Sequence, residues 1–461
     1  MFKQIHDLNG SGAIYRQLAD HIMDLVKTAQ LNPGDRLPPH RELARLIGVN
    51  VTTVTRAIAV LQKNGVVESR AGRGSFIKSP GPKTVPRSGV NENSRLCDLS
   101  INRPATDAYL KAAEHLLPTL VNDPRFPSVQ DYHAPEGEYQ TRKTIAEWLS
   151  SATGHNDPSR LVVVNGCQHG LSCVVDAVAQ SGDVILADMV TFHGFIPLCA
   201  SKGIKLKSVA TDAGGMKPEA LEEACLRHSP KAVFLMPNFH NPTNVTLSEA
   251  RRDALAHVAR KNNTYIIEDD VCHALLSNPL PTIASKHPDI TFYVSSFSKS
   301  VAAGIRLGVV SAPVEETEAV SAMLRMNCWS TSALVGLVVT KLIEEGTIDT
   351  IISQQAQELK ERHQILVETL PSEFLDSQPT SPFAWIRLPN PWRSETFSKA
   401  ALNAGVCVLS GEAFNIDRDQ APVHAIRIYT NAARSQKELR LAAGIINNLL
   451  KSGHRKALFD V

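Results

Sequence analysis

The stretch SSFSKSVAAGIRLG, residues 295–308, sets Lys299 between Ser298 and Ser300 and follows it with Arg306 and two glycines. A lysine amine in such a setting can condense with a carbonyl and hold it as an imine. The supports that an aromatic, phosphorylated carbonyl cofactor needs recur along the chain. YIIEDD, residues 265–270, is a β-branched run that ends in acids, so Asp269 can meet a ring nitrogen. NGCQHGLSCVVDAV, residues 165–178, reads as a strand-to-helix turn at Gly166, Cys167 and Gln168. Its amides, with Ser296, Ser298 and Arg306, suit a phosphate. PNFHNPTN, residues 237–244, offers Asn241 in a proline-fixed loop as a donor to a ring oxygen, and Phe192, after DVILAD, offers an aromatic face. Pyridoxal 5'-phosphate is the commonest cofactor with these needs.

Each of these residues has an ordinary reading. A strand-end aspartate usually caps a turn, Asn-Pro-Thr is usually a turn, and a strand-to-helix glycine is often only a tight connection. Their shared placement argues otherwise, because all follow strand-like runs, at the carboxyl ends where open α/β sheets bind ligands.

The elements that must position them follow a rhythm. Apolar runs such as LVVVN, DVILA, KAVFLMP and TYIIED alternate with helical stretches such as GLSCVVDAVAQ and LSEARRDALAHVARK. That alternation predicts an α/β domain with a mainly parallel sheet. Upstream, SPGPKTVPRSGVNENSR, residues 79–95, has no apolar period and reads as a flexible linker. The expected organisation is a small head over 1–78, a linker over 79–95, a large domain over 96–330 and a small α+β subdomain over 331–461.

The head carries eleven Lys/Arg against six Asp/Glu, an excess of +5, whereas the whole chain of 461 residues has a net charge of +2. A basic head therefore sits on a slightly acidic body. Within it, IYRQLADHIMDLVKT shows helical spacing at Ile14, Leu18, Ile22, Leu25 and Val26. A short helix from about Pro39 to Ile47, a turn at Gly48 and a second helix from about Thr52 to Asn64 follow. Helix, tight turn, helix is a DNA-reading layout. Val54, Ile58 and Leu61 form the buried stripe of the second helix, which leaves Thr52, Thr53, Thr55, Arg56 and Lys63 on other faces. VVESRAGRGSFI reads as two strands and a basic tip with Arg70, Gly72 and Arg73, suited to a minor groove or a phosphate row. A solvated helical hairpin is the alternative reading.

The eight cysteines show no C-x-x-C pair or metal-ligand spacing, so no metal site is expected. No run reaches the length of a membrane helix and the first residues lack a signal-peptide layout, so a cytoplasmic protein with no membrane partner is expected.

GDRLPPHRELARLIGV followed by TTVTRAIAVLQKNGVVESRAGRGSFI resembles the winged helix-turn-helix of GntR-type transcription regulators. The resemblance implies operator DNA contacts from Arg41, Thr52, Thr53 and Gly72, to which the basic Arg56 and Arg73 are added. His40 and Val51 depart from the usual residues there. Residues 97 to 450 resemble the fold type I aminotransferases. That likeness implies that Lys299 holds pyridoxal phosphate, Asp269 protonates its ring nitrogen, Asn241 bonds its ring oxygen, and Ser296 and Arg306 bind its phosphate. Arg427 in HAIRIYTNA would grip a substrate α-carboxylate, and Tyr132 would reach across a dimer interface to the partner's phosphate.

Three positions depart from that family. Cys272 stands where a tyrosine donor is usual, Asn244 where glycine is usual, and SPFAWIRLP lacks glycines common before its tryptophan. Head and body together resemble the MocR subfamily of regulators, which implies a homodimer whose aminotransferase-like body senses an amino compound and alters DNA binding. A working aminotransferase is the principal alternative, and a scaffold that has lost its cofactor is a third.

Overall fold

The computed structural model describes residues 13–27, 31, 35, 37–63, 66–70, 74–77, 97–417 and 422–452. The chain divides into two compact units, 1–93 and 94–461. The linker expected over 79–95, the wing residues Gly72 and Arg73, and Asn64 lie outside the described residues.

In the first unit, helix α1 (Ile14–Lys27) packs on α3 (Val51–Lys63), with α2 (His40–Ile47) between them in sequence. Leu18, Ile22, Leu43, Ile47, Val54, Ile58 and Leu61 form one buried cluster, as the apolar spacing requires. Gly48 ends α2 in the left-handed region at φ 78°, with its N–H on the Ala44 carbonyl, a conformation that costs glycine nothing. Asn50 starts α3 by accepting the Thr52 N–H at 3.1 Å. Strands β1 (Val67–Arg70) and β2 (Gly74–Ile77) pair antiparallel, Val67 opposite Ile77 and Arg70 opposite Gly74.

The second unit is built on a seven-stranded sheet: β3 (Leu161–Val164), β4 (Val184–Asp188), β5 (Lys205–Val209), β6 (Ala232–Leu235), β7 (Tyr265–Asp269), β8 (Thr291–Ser296) and β9 (Gly308–Ser311). Their spatial order is β3-β9-β8-β7-β6-β4-β5. Only β9 runs antiparallel to its neighbours in this sheet. Both faces of the central strands are covered, so these are near-continuous apolar runs, whereas the edge strand β5, KLKSV, turns its lysines outward. Ile267, Val294 and Val310 pack with Leu171 and Val174 of helix α4 (Cys167–Val178), while Ile266 and Val233 face the opposite cluster.

Beside it stands an antiparallel sheet of β10 (Leu375–Asp376), β11 (Phe383–Arg387), β12 (Leu409–Ser410) and β13 (Ala425–Tyr429), in the order β10-β11-β13-β12. Ile426 and Ile428 of β13 bury in a cluster with Ile365 and Leu366 of helix α5 (Thr347–Thr369) and Ile446 of helix α6 (Gln436–Ser452). Strand alternation turns Arg427 to the other face, over the Phe414 ring. No single helix among the described residues is long and apolar enough to cross a membrane, and no cluster of His, Cys, Asp and Glu there has metal-binding geometry.

Candidate functional site

Strand ends of the large sheet deliver the candidate residues. β7 ends on Asp269, β8 runs into Lys299, and the β3–α4 turn brings Gly166, Cys167 and Gln168. Asp269 is 2% exposed, and its Oδ1 accepts from Cys167 Sγ at 3.3 Å. Burial pushes its pKa up to about 7 with Asp270 adding to the rise, while the Cys167 thiol and the Lys299 charge pull it back. A carboxyl so buried holds a proton readily, which suits a basic ring nitrogen.

The β3–α4 turn is shaped for an anion. Gly166 has φ 81° and ψ 168°, a region almost closed to other residues. The Arg306 guanidinium occupies the space beside it: Nη1 donates to Ser298 Oγ at 3.4 Å and Nη2 to the Asn165 carbonyl at 3.5 Å. Ser296 Oγ accepts the Ser298 N–H at 3.0 Å. Gln168 Nε2 donates to the Gly194 carbonyl at 3.1 Å, and the Phe192 ring borders the same glycine. Lys299 is half-buried, its Nζ 5.3 Å over the Tyr429 ring.

Arg427 is wholly buried. Its Nη1 donates to Asn241 Oδ1 and Tyr429 Oη, both at 3.2 Å, and its Nη2 to the Ser100 carbonyl at 3.1 Å. Among the described residues no carboxylate pairs with it, and its Nε has no partner. A buried cation without a counter-ion is costly, so this guanidinium fits an anionic ligand. Burial accordingly pushes the Arg427 pKa down, with Tyr429 opposing.

Lys299, Asp269, Gly166, Cys167, Ser298, Arg306, Asn241 and Arg427 therefore join through contacts and charge into one site. Tyr132 does not join it: the residue is 90% exposed, edge-on to Trp329 at 5.8 Å. Three groups escaped the sequence reading: the Cys167 thiol, the Ser100 carbonyl and Tyr429. The last was detectable, because residues two apart on a strand share a face and Tyr429 follows Arg427 by two. Cys272 is buried and its thiol is pushed up to about 12 by that burial, so it stays neutral.

In the head, Arg41, Thr52 and Arg56 are exposed and Thr53 is partly so. His40 Nδ1 lies 3.2 Å from Thr55 Oγ1, which ties the start of α2 to α3.

A parallel-centred sheet with a lysine after one strand, an acid at the end of the next and a buried arginine on an adjoining antiparallel sheet defines a fold type I aminotransferase-like body. The chain belongs to the aminotransferase class I and II family, whose model matches residues 94–446, and residues 14–77 match the gntR family of bacterial regulatory proteins. It is thus a GntR-type transcription regulator with an aminotransferase-like domain, the MocR arrangement. It is 26% identical over 438 residues to the uncharacterized HTH-type transcriptional regulator YdeF of Bacillus subtilis, covering 95% of this chain and 94% of that protein. It is 27% identical over 445 residues to PtsJ, the vitamin B6 salvage pathway transcriptional repressor of Salmonella typhimurium, covering 94% and 98%. The multiple substrate aminotransferase of Thermococcus profundus shares the fold, with a TM-score of 0.71 at 20% identity over 81% of this chain and 97% of that one.

Proposed function

We propose that the body binds pyridoxal 5'-phosphate at Lys299 and detects a carboxylate-bearing amino compound, whose binding changes how the head engages operator DNA. The observation that carries this reading is Arg427, a buried guanidinium with no carboxylate partner among the described residues, tied to the same constellation as Lys299.

Bound there, the cofactor supplies an aldehyde carbon that takes up amines. The chain's own residues set the conditions. Lys299 provides the amine that anchors the aldehyde. Asp269 holds a proton toward the ring nitrogen, and the dry setting strengthens that hydrogen bond. Arg306, Ser296, Ser298 and the amides of Gly166, Cys167 and Gln168 serve the phosphate, where the α4 N-terminus adds its positive dipole end. Phe192 would offer an aromatic face to the ring, and Asn241 would donate to the ring oxygen. Arg427 takes the effector carboxylate in the two-pronged way that a lysine could not. PtsJ, by its name a transcriptional repressor of the vitamin B6 salvage pathway, is a relative whose name agrees with a B6 vitamer here.

On the DNA side, Arg41 and Arg56 meet phosphates or guanines, Thr52 and Thr53 meet base edges or phosphates near the start of α3, and Gly72 and Arg73 serve the wing. A homodimer, with Tyr132 reaching the second site, presents two heads to repeated half-sites in the cytoplasm. Coupling requires only that the effector favour one arrangement over another.

The test is a gel-shift titration of cofactor-loaded protein on its operator fragment against a panel of amino and keto acids, beside Lys299→Ala. Some amino acid must change the operator affinity of the wild type and leave the variant unchanged. Steady turnover of the same panel, with no effect on DNA binding, would favour an active aminotransferase instead, a reading that the near-complete cofactor constellation keeps in play.

A further inference from the structure

Arginine only donates hydrogen bonds, so in the contact from Arg427 Nη1 the Tyr429 oxygen must accept. The phenol therefore keeps its own proton for another acceptor. The same logic orients Asn241: its Oδ1 faces Arg427, which turns its NH2 elsewhere. Among the described residues nothing accepts from either group. Two donors thus hang from a single guanidinium nitrogen, and the Lys299 amine stands over the ring of one of them.

Tyr429 is 6% exposed, so the side chain is largely shut off from bulk water. The groups that bear on its titration are Arg427, Lys299 and Cys272. Burial pushes the phenol pKa up, but the two cations outweigh it and bring the group below its usual range, which strengthens it as a donor. Cys272 cannot take that part, being a weak donor.

We propose that Tyr429 is a cofactor-binding residue: with Asn241 it donates to the phenolic oxygen of pyridoxal phosphate held at Lys299, and it positions Arg427 beside that ring. This rests on the cofactor reading above. Donation to the ring oxygen stabilises its anionic form and so lowers the pH at which the bound cofactor's visible band changes. The alternative role is purely structural, with Tyr429 a shelf for Arg427.

The experiment compares wild type, Tyr429→Phe and protein carrying 3-fluorotyrosine at 429, reading the pH midpoint of the visible band and the cofactor Kd by absorbance titration. Loss of one charge-assisted hydrogen bond should raise the midpoint in Tyr429→Phe by about one pH unit and weaken cofactor binding roughly tenfold. The more acidic fluorophenol should move the midpoint the opposite way. Midpoint and cofactor Kd equal to wild type in both variants, with only carboxylate binding weakened, would overturn the proposal and leave the cofactor reading intact. A wild type that takes up no cofactor would overturn both.

Discussion

A Cβ on Gly166 would stand 2.9 Å from Arg306 Nη2, so the bare α-carbon of one residue is what admits the guanidinium of the other. The glycine is required twice over, since its φ of 81° with ψ of 168° is a backbone region that costs other residues about 1–3 kcal/mol. Gly166→Ala should therefore weaken pyridoxal phosphate binding at least about tenfold, through displacement of one charge-assisted contact. Absorbance titration of the variant reads this directly, and wild-type affinity would count against the phosphate role of the turn.

Asp269 gives a pH signature in cofactor-free protein. Its folded pKa of about 7 lies above the ordinary carboxyl value of 3.8, so the fold binds this proton more tightly than the unfolded chain does. The sign follows: stability from this group is fully present below about pH 4 and declines as pH rises to about 7, by a few kcal/mol at most. Cofactor-free Asp269→Asn should be more stable than wild type at pH 8 and nearly equal to it at pH 4, measured by urea unfolding. Some slope remains in the variant, because burial also pushes Glu268 up to about 7.

Arg427→Lys removes the fork that reaches Asn241, Tyr429 and the Ser100 carbonyl together. A lysine offers a point charge in its place. Binding of carboxylate-bearing amino compounds, read as shifts of the visible band, should fall at least about tenfold, while loading with cofactor persists. Equal binding of amines with and without a carboxylate to the wild type would remove Arg427 from the effector site.

Arg41 lies exposed in the first turn of α2 and packs into no core. Arg41→Ala should weaken operator binding and lower the salt-dependence slope by about one, without altering cofactor content. Gel shifts at several salt concentrations measure both, and an unchanged slope would place Arg41 off the DNA.

Much of this was legible before any fold was in hand. Strand-and-helix alternation gave away the parallel-centred sheet, and the stripe of Val54, Ile58 and Leu61 in the head lies buried as its spacing required. Asp269 could be found because strands ending in acids are conspicuous. Tyr429 was legible only as sharing a strand face with Arg427; that this face of β13 meets the site came from the fold. The Ser100 carbonyl is a backbone group 327 residues from Arg427, and nothing in a side-chain pattern reports it. Asn244 also becomes intelligible only in three dimensions. Its φ of 62° explains the glycine usual at such a position, and asparagine tolerates that region. The amide then does what glycine cannot, donating to the Asp376 and Phe383 carbonyls at 3.0 Å each and so tying the Asn241 loop to the antiparallel sheet.

The most direct measurement is the visible absorption spectrum of the purified protein with added pyridoxal phosphate, before and after borohydride, beside Lys299→Ala. The account predicts a yellow band in wild type that borohydride bleaches and that the variant lacks. A wild type that stays colourless with cofactor present would contradict it, leaving a DNA-binding regulator whose body keeps the aminotransferase fold for another purpose.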